Sequence, residues 1–212
     1  KMKPSLKLFY LAFGLSLLIH KSLLAQSDEY VVRHYTIKDG LSDDAVTYTI
    51  QDSKGIVWIG TWEDGLNKFD GVKFTTFQHN PADYNSLSDN RLYSNIVEDD
   101  SGKLWIGTYT GLDIFDPKTE RFQKLIFDSL LLHKSNSIVA RPGIRAIKVR
   151  KRKDGKIWIC TANGIYLADP LTLEVSKLSS FSSNSQKQDN FSSNLLQSNF
   201  KDIAETSDGS VW

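Results

Sequence analysis

The 212-residue chain is short of the residues that build covalent or metal-bound scaffolds, with Cys160 its single cysteine. A lone thiol excludes an internal disulfide framework and any cysteine-based zinc site, so stability must come from packing. Its four histidines, His20, His34, His79 and His133, are scattered without paired-ligand spacing, which leaves no support for a metal hydrolase. There is no nucleophile elbow, glycine-rich phosphate loop or calcium-loop spacing. Charge of one sign is also lacking. Four of the 26 basic residues, Lys1, Lys3, Lys7 and Lys21, fall in the first 25 positions, leaving 22 basic against 25 acidic groups, a net of −3. That balance argues against nucleic-acid binding. The composition, 40% hydrophobic and 24% charged, is otherwise that of a globular protein.

Long apolar runs are missing too. The longest, Leu8 to Ile19, has twelve residues and follows three lysines. As a helix it would rise about 18 Å, short of the roughly 30 Å hydrocarbon core, so residues 1–25 read as a secretory signal peptide with cleavage after Ala25. An uncleaved anchor that extends the run through Leu23 and Leu24 is the alternative. Residues 28–212 are then expected outside the cytoplasm. Because the chain begins Lys1-Met2 and ends at Trp212 inside a repeated strand, it reads as a segment of a longer protein.

What the chain has is an internal repeat. Trp58-Ile59-Gly60-Thr61 recurs as Trp105-Ile106-Gly107-Thr108 and as Trp158-Ile159-Cys160-Thr161, and a fourth copy starts at Val211-Trp212, at spacings of 47, 53 and 54 residues. Three residues before each tryptophan stands a glycine, Gly55, Gly102, Gly155 and Gly209, at the end of a polar stretch. A polar stretch closed by Gly between apolar runs is a hairpin loop. A second glycine opens the next strand at Gly65, Gly111 and Gly164, and Gly71, Pro117 and Pro170 mark the turn into a fourth. First strands are expected at 45–51, 92–98 and 144–150, and fourth strands at 73–77, 121–126 and 173–178.

Four short antiparallel strands per repeat predict an all-β chain, a β-propeller of three four-stranded blades (41–78, 87–127, 143–178) plus part of a fourth (195–212) in an incomplete ring. Trp58, Trp105, Trp158 and Trp212 are expected in the blade cores. Gly60 and Gly107 fit the taper near the axis, where Cys160 is a small buried substitute. Tyr30 to Ile37 resembles a fourth-type strand and is expected to enter the ring as one.

The repeat resembles the two-component regulator propeller family, whose unit carries D-x-x-G, W-I-G-T and G-L-x-x-F-D. Here these stand as Asp52 to Gly55, Trp58 to Thr61 and Gly65 to Asp70, and again as Asp99 to Gly102, Trp105 to Thr108 and Gly111 to Asp116. The third copy departs at Arg152, Cys160 and Ala168, and the fourth at Thr206. The resemblance implies the extracytoplasmic sensor of a membrane receptor, often a hybrid histidine kinase of gut-type bacteria that starts a phosphorelay when it detects oligosaccharides from complex glycans. It also implies partners beyond this chain: further blades, a dimer mate and a downstream transmembrane helix that tethers the sensor in the periplasm. No catalytic residue, cofactor or metal is expected in this segment. The rival readings are a secreted propeller glycosidase or polysaccharide lyase, and a scaffold that recruits a protein.

Residues outside the repeat pattern are the better candidates for a ligand site. Trp62 and Tyr109 follow the Thr of W-I-G-T, where the third copy has Ala162. An aromatic there can stack on a sugar ring or simply pack against the next blade. The basic run Lys148, Arg150, Lys151, Arg152 and Lys153 is either a solvated hairpin tip or an anion-binding patch. The long polar stretches 128–142 and 179–193 carry contacts or none.

Overall fold

In the computed structural model, residues 31–125, 127, 146–161 and 164–178 are described. The signal peptide, Ala162, the two long polar stretches, and the fourth copy with Gly209 and Trp212 lie outside them.

Among the described residues, twelve strands form three antiparallel sheets in chain order. The first contains β1 (Val46–Gln51), β2 (Val57–Thr61), β3 (Leu66–Phe69) and β4 (Phe74–Phe77). The second contains β5 (Leu92–Glu98), β6 (Leu104–Thr108), β7 (Leu112–Asp116) and β8 (Arg121–Lys124). The third contains β9 (Ala146–Lys151), β10 (Ile157–Thr161), β11 (Gly164–Ala168) and β12 (Val175–Lys177). The first strands β1, β5 and β9 lie side by side. The sheets therefore fan outward from them as blades.

In the first two blades the hairpin between the first and second strands is built by one carboxylate. Asp52 Oδ1 accepts from the backbone N–H groups of Lys54 and Ile56, both at 2.9 Å, and Oδ2 accepts from the Trp58 indole at 2.8 Å. Asp99 repeats this with Ser101 at 2.8 Å, Lys103 at 3.0 Å and the Trp105 indole at 2.9 Å. One residue thus closes the turn and satisfies the only polar atom of the buried indole. Burial alone would push the Asp99 carboxyl up, but these donors outweigh it and hold it below the ordinary value. The third blade keeps the turn through Gly155, at φ +83°, and carries Arg152 in the Asp position, its guanidinium 5.1 Å from the Trp158 ring centroid.

Two apolar cores lie between the blades. Trp58 and Leu66 of the first blade meet Leu92, Ile96, Leu104, Ile106 and Phe115 of the second, and Trp105 and Ile114 meet Val149, Ile157 and Ile159 of the third. Gly107 sits where the blades converge, and a Cβ there would collide with the Ser94 side chain. Next to it, Asn95 mimics a strand partner: its amide nitrogen donates to Val149 O at 2.6 Å and its Oδ1 accepts from Val149 N at 2.9 Å.

One local expectation is corrected. Residues 31–36 form no strand, and Ile37–Asp39 is a 3-10 turn capped by Thr36. An extended segment needs a partner for its backbone groups, and among the described residues no strand pairs with it. Tyr35 instead rests against Phe69 and Phe74, with ring centroids 4.9 and 5.7 Å away.

Candidate ligand-binding rim

The loops that lead into each first strand and the turns between second and third strands share one rim. Trp62 N donates to Ala45 O at 3.0 Å, and Tyr109 N donates to Arg91 O at 2.9 Å, so each aromatic extends its β2-type strand onto that rim. Behind them the Thr of W-I-G-T closes the turn: Thr61 Oγ1 donates to Gly65 O at 2.8 Å and Thr108 Oγ1 to Gly111 O at 3.3 Å.

Trp62 and Tyr109, the two residues singled out from sequence, are each 42% exposed. Tyr93, 39% exposed, stands between them. Its ring centroid is 4.9 Å from that of Trp62 and 6.0 Å from that of Tyr109, so the three form a continuous aromatic row across the seam of the first two blades. A distortion of β5 aims Tyr93 outward. In the first blade one extra residue intervenes where β1 pairs β2, between Val46 and Tyr48. In the second blade the irregularity spans Leu92 to Ile96 against Thr108 to Ile106, a longer bulge that turns the strand. Sequence reasoning missed Tyr93 because strand alternation does not reveal a bulge. The one available signal was an aromatic where the first repeat has Thr47.

Beside the row lies an open cleft of about 520 Å³ lined by Glu63, His79, Ser88, Asp89, Asn90, Arg91 and Thr110. Arg91 is locked by Asp89, with Nε to Oδ1 at 2.9 Å and Nη2 to Oδ2 at 2.7 Å, and its Cζ lies 3.9 Å from the Tyr109 ring centroid. Burial would raise the Asp89 carboxyl, but its hydrogen bonds from Arg91 outweigh burial and keep it low. The hydrogen bond to Asp89 holds the Arg91 guanidinium above its usual range.

The wall of the cleft is pinned from beneath. Ser88 donates to Asp113 through its N–H, at 2.6 Å, and its hydroxyl, at 2.5 Å. His79 Nδ1 donates to Leu87 O at 2.6 Å, and His79 N donates to Asn90 Oδ1 at the same distance. Burial pushes the Asp113 carboxyl up from 3.8 to about 6, against the opposing pull of Ser88, Lys124 and His79. In the first blade the matching contact is neutral: Ser42 N donates to Asn67 Oδ1 at 3.1 Å, and Asn67 Nδ2 donates to Ser42 Oγ at 2.7 Å.

The remaining positions take structural places. Trp58, Trp105 and Trp158 are buried, and Gly55, Gly102 and Gly155 all have φ between +83° and +85°. The inner glycines Gly60 and Gly107 lie close to Leu92 and to Ala146 O of the following blade, and Cys160 at the corresponding strand position is buried. Of the basic run, Lys151 pairs with Asp100 at 2.7 Å, and Lys148 Nζ lies 5.9 Å from the Tyr48 ring centroid. Among the described residues no His, Cys, Asp and Glu cluster could hold a metal ion, and no helix is long and apolar enough to cross a membrane.

Three four-stranded antiparallel sheets that fan from their first strands and bury one tryptophan apiece, Trp58, Trp105 and Trp158, are blades of a β-propeller. Parts of the first two blades, residues 40–63 and 86–110, match the family model for the two component regulator propeller. Histidine kinase P4 of Formosa agariphila is 46% identical over 67 residues, which is 32% of this chain and 5% of the kinase. The extracellular domain of the hybrid two component system BT3049 of B. thetaiotaomicron is 26% identical, with a TM-score of 0.57 over 70% of this chain and 20% of that domain. The extracellular domain of the one component system BT4673 from the same organism, at 19% identity and a TM-score of 0.56 over 90% of this chain and 23% of that one, shares the fold. The chain thus spans a small part of each relative.

Proposed function

We propose that this chain is a blade segment of the extracellular sensor of a two-component signalling receptor, and that the rim of its first two blades contributes to binding an oligosaccharide. The similarity to the histidine kinase and to the sensor domain supports the first statement. The row of Trp62, Tyr93 and Tyr109 carries the second, because flat apolar rings exposed side by side match the C–H faces of consecutive sugar rings. On this reading the segment does no chemistry. It works by binding its ligand more tightly in one receptor state than in the other.

A glycosidase reading would need two carboxylates across the substrate, one of them kept protonated. Asp89 is held low by Arg91, and Asp113, which is raised, lies 0% exposed beneath Ser88. Neither suits the acid role. Calorimetric titration of the complete sensor region with a panel of oligosaccharides tests the proposal. Binding that weakens about tenfold or more in Trp62→Ala or Tyr109→Ala is expected, and no binding anywhere in the panel overturns the glycan reading.

A further inference from the structure

We infer that this rim selects uncharged sugars and turns away anionic ones, a specificity that rests on the glycan reading above. Three observations lead there. Arg91 is the one permanent cation among the described residues that line the cleft, and both oxygens of Asp89 already hold it. Its face is occupied by the Tyr109 ring. Glu63 adds a second carboxylate within the field of the guanidinium, so the lining carries two negative groups against one positive.

An arginine free to form a fork is the usual device for a carboxylate or sulfate. Here the Nε–Nη2 edge of the guanidinium is held by Asp89, so its charge is already compensated, and an arriving uronate would meet Glu63 and Asp89 as a net negative lining. Neutral sugars meet a different surface. Their hydroxyls can donate to the exposed parts of these carboxylates and exchange hydrogen bonds with Asn90. Thr110 Oγ1 is a second recognition point: it is buried at the cleft and has no hydrogen-bond partner among the described residues. A buried hydroxyl left unmatched is costly unless something arrives to pair with it, and a sugar hydroxyl both donates and accepts.

The test uses the complete sensor region, titrated with neutral hexasaccharides (gluco-, xylo- and manno-linked) and anionic ones (oligogalacturonate and chondroitin sulfate) and followed by calorimetry and tryptophan fluorescence. Circular dichroism checks the fold of each variant. The expected result is a neutral ligand whose binding is lost in Trp62→Ala, with every anionic ligand about tenfold weaker or undetectable. Asp89→Asn frees the Nε–Nη2 edge of Arg91 and leaves its charge uncompensated, and with Glu63→Gln it should raise affinity for oligogalacturonate about tenfold. Glu63→Gln alone, which leaves the Asp89–Arg91 pair intact, should raise it less. An anionic ligand that binds the unaltered protein in a Trp62-dependent manner, as tightly as any neutral one, overturns the selectivity and leaves the glycan reading standing. A neutral ligand indifferent to Trp62→Ala overturns the assignment to this rim. Silence across the whole panel overturns the glycan reading and this inference with it.

Discussion

Phe69 and Phe115 stand at the same place in two copies of the G-L-x-x-F-D motif, yet their surroundings differ. Phe115 is fully buried, with Trp58, Phe77 and Phe122 at centroid distances of 5.3, 4.9 and 4.6 Å. Phe69 is only half-buried, against Phe74 at 4.6 Å and Tyr35 at 4.9 Å. The same contrast runs along the second strands, where Leu104 and Ile106 are fully buried and Val57 and Ile59 are not. The reason is the neighbour. The second blade has a blade on each side, whereas among the described residues the first has one only on its Trp58 side. In a propeller, a motif supplies an apolar residue, and the adjacent sheet supplies its burial.

The largest expected effect tests that contrast directly. Phe115→Ala should cost about 3 to 5 kcal/mol and Phe69→Ala roughly 1 to 2 kcal/mol, read from urea midpoints of the complete sensor region. Equal losses would erase the distinction between the blades. Next comes the pair Asp113 and Asn67, which do the same job with and without a titratable group. Because the folded carboxyl titrates near 6 and the ordinary value is 3.8, its contribution is full below about 3.8 and is lost as pH rises through about 6. A shift of about two units corresponds to at most about 3 kcal/mol. Asp113→Asn should keep an acceptor for Ser88, as Asn67 does for Ser42, raise stability at pH 7.5 and flatten the pH profile between 4 and 7. An unchanged profile would show that Asp113 is not buried as a charge.

Smaller effects separate the hairpins. Asp99→Ala leaves the buried Trp105 indole without its acceptor and should cost about 2 to 3 kcal/mol by denaturant titration. Arg152→Ala at the matching position removes a ring contact and should cost about 1 kcal/mol or less. Comparable losses would mean that the indole bond is dispensable. The smallest change is expected at the Lys151–Asp100 pair joining the second and third blades, where both side chains are well exposed. Lys151→Ala should shift stability by less than about 1 kcal/mol, less still in high salt.

Much of the fold was legible because the repeat carries its own turn chemistry. The D-x-x-G hairpins, the second glycine and the buried tryptophans locate the strands to within a residue or two. The second task of the hairpin Asp was not legible, since nothing in the spacing tells that Asp52 and Asp99 reach the indole six residues on. At the rim, Trp62 and Tyr109 could be picked out because they break the repeat. Tyr93 could not, as its outward direction comes from a bulge in β5, and Arg91 and Thr110 stood out by no pattern at all. The strand expected at Tyr30 to Ile37 failed over 31–36 because apolar residues alone do not pair a backbone.

The sequence by itself determined that this is a stack of four-stranded blades, since turns closed by glycine and alternation within strands are local properties of the chain. Only the tertiary structure decided which faces are buried, which aromatics meet in one row and which charge is spent on which partner. Those depend on residues far apart in sequence meeting across the seams, as Trp62 meets Tyr93 and Trp58 meets Phe115. Local pattern carries no record of such distances.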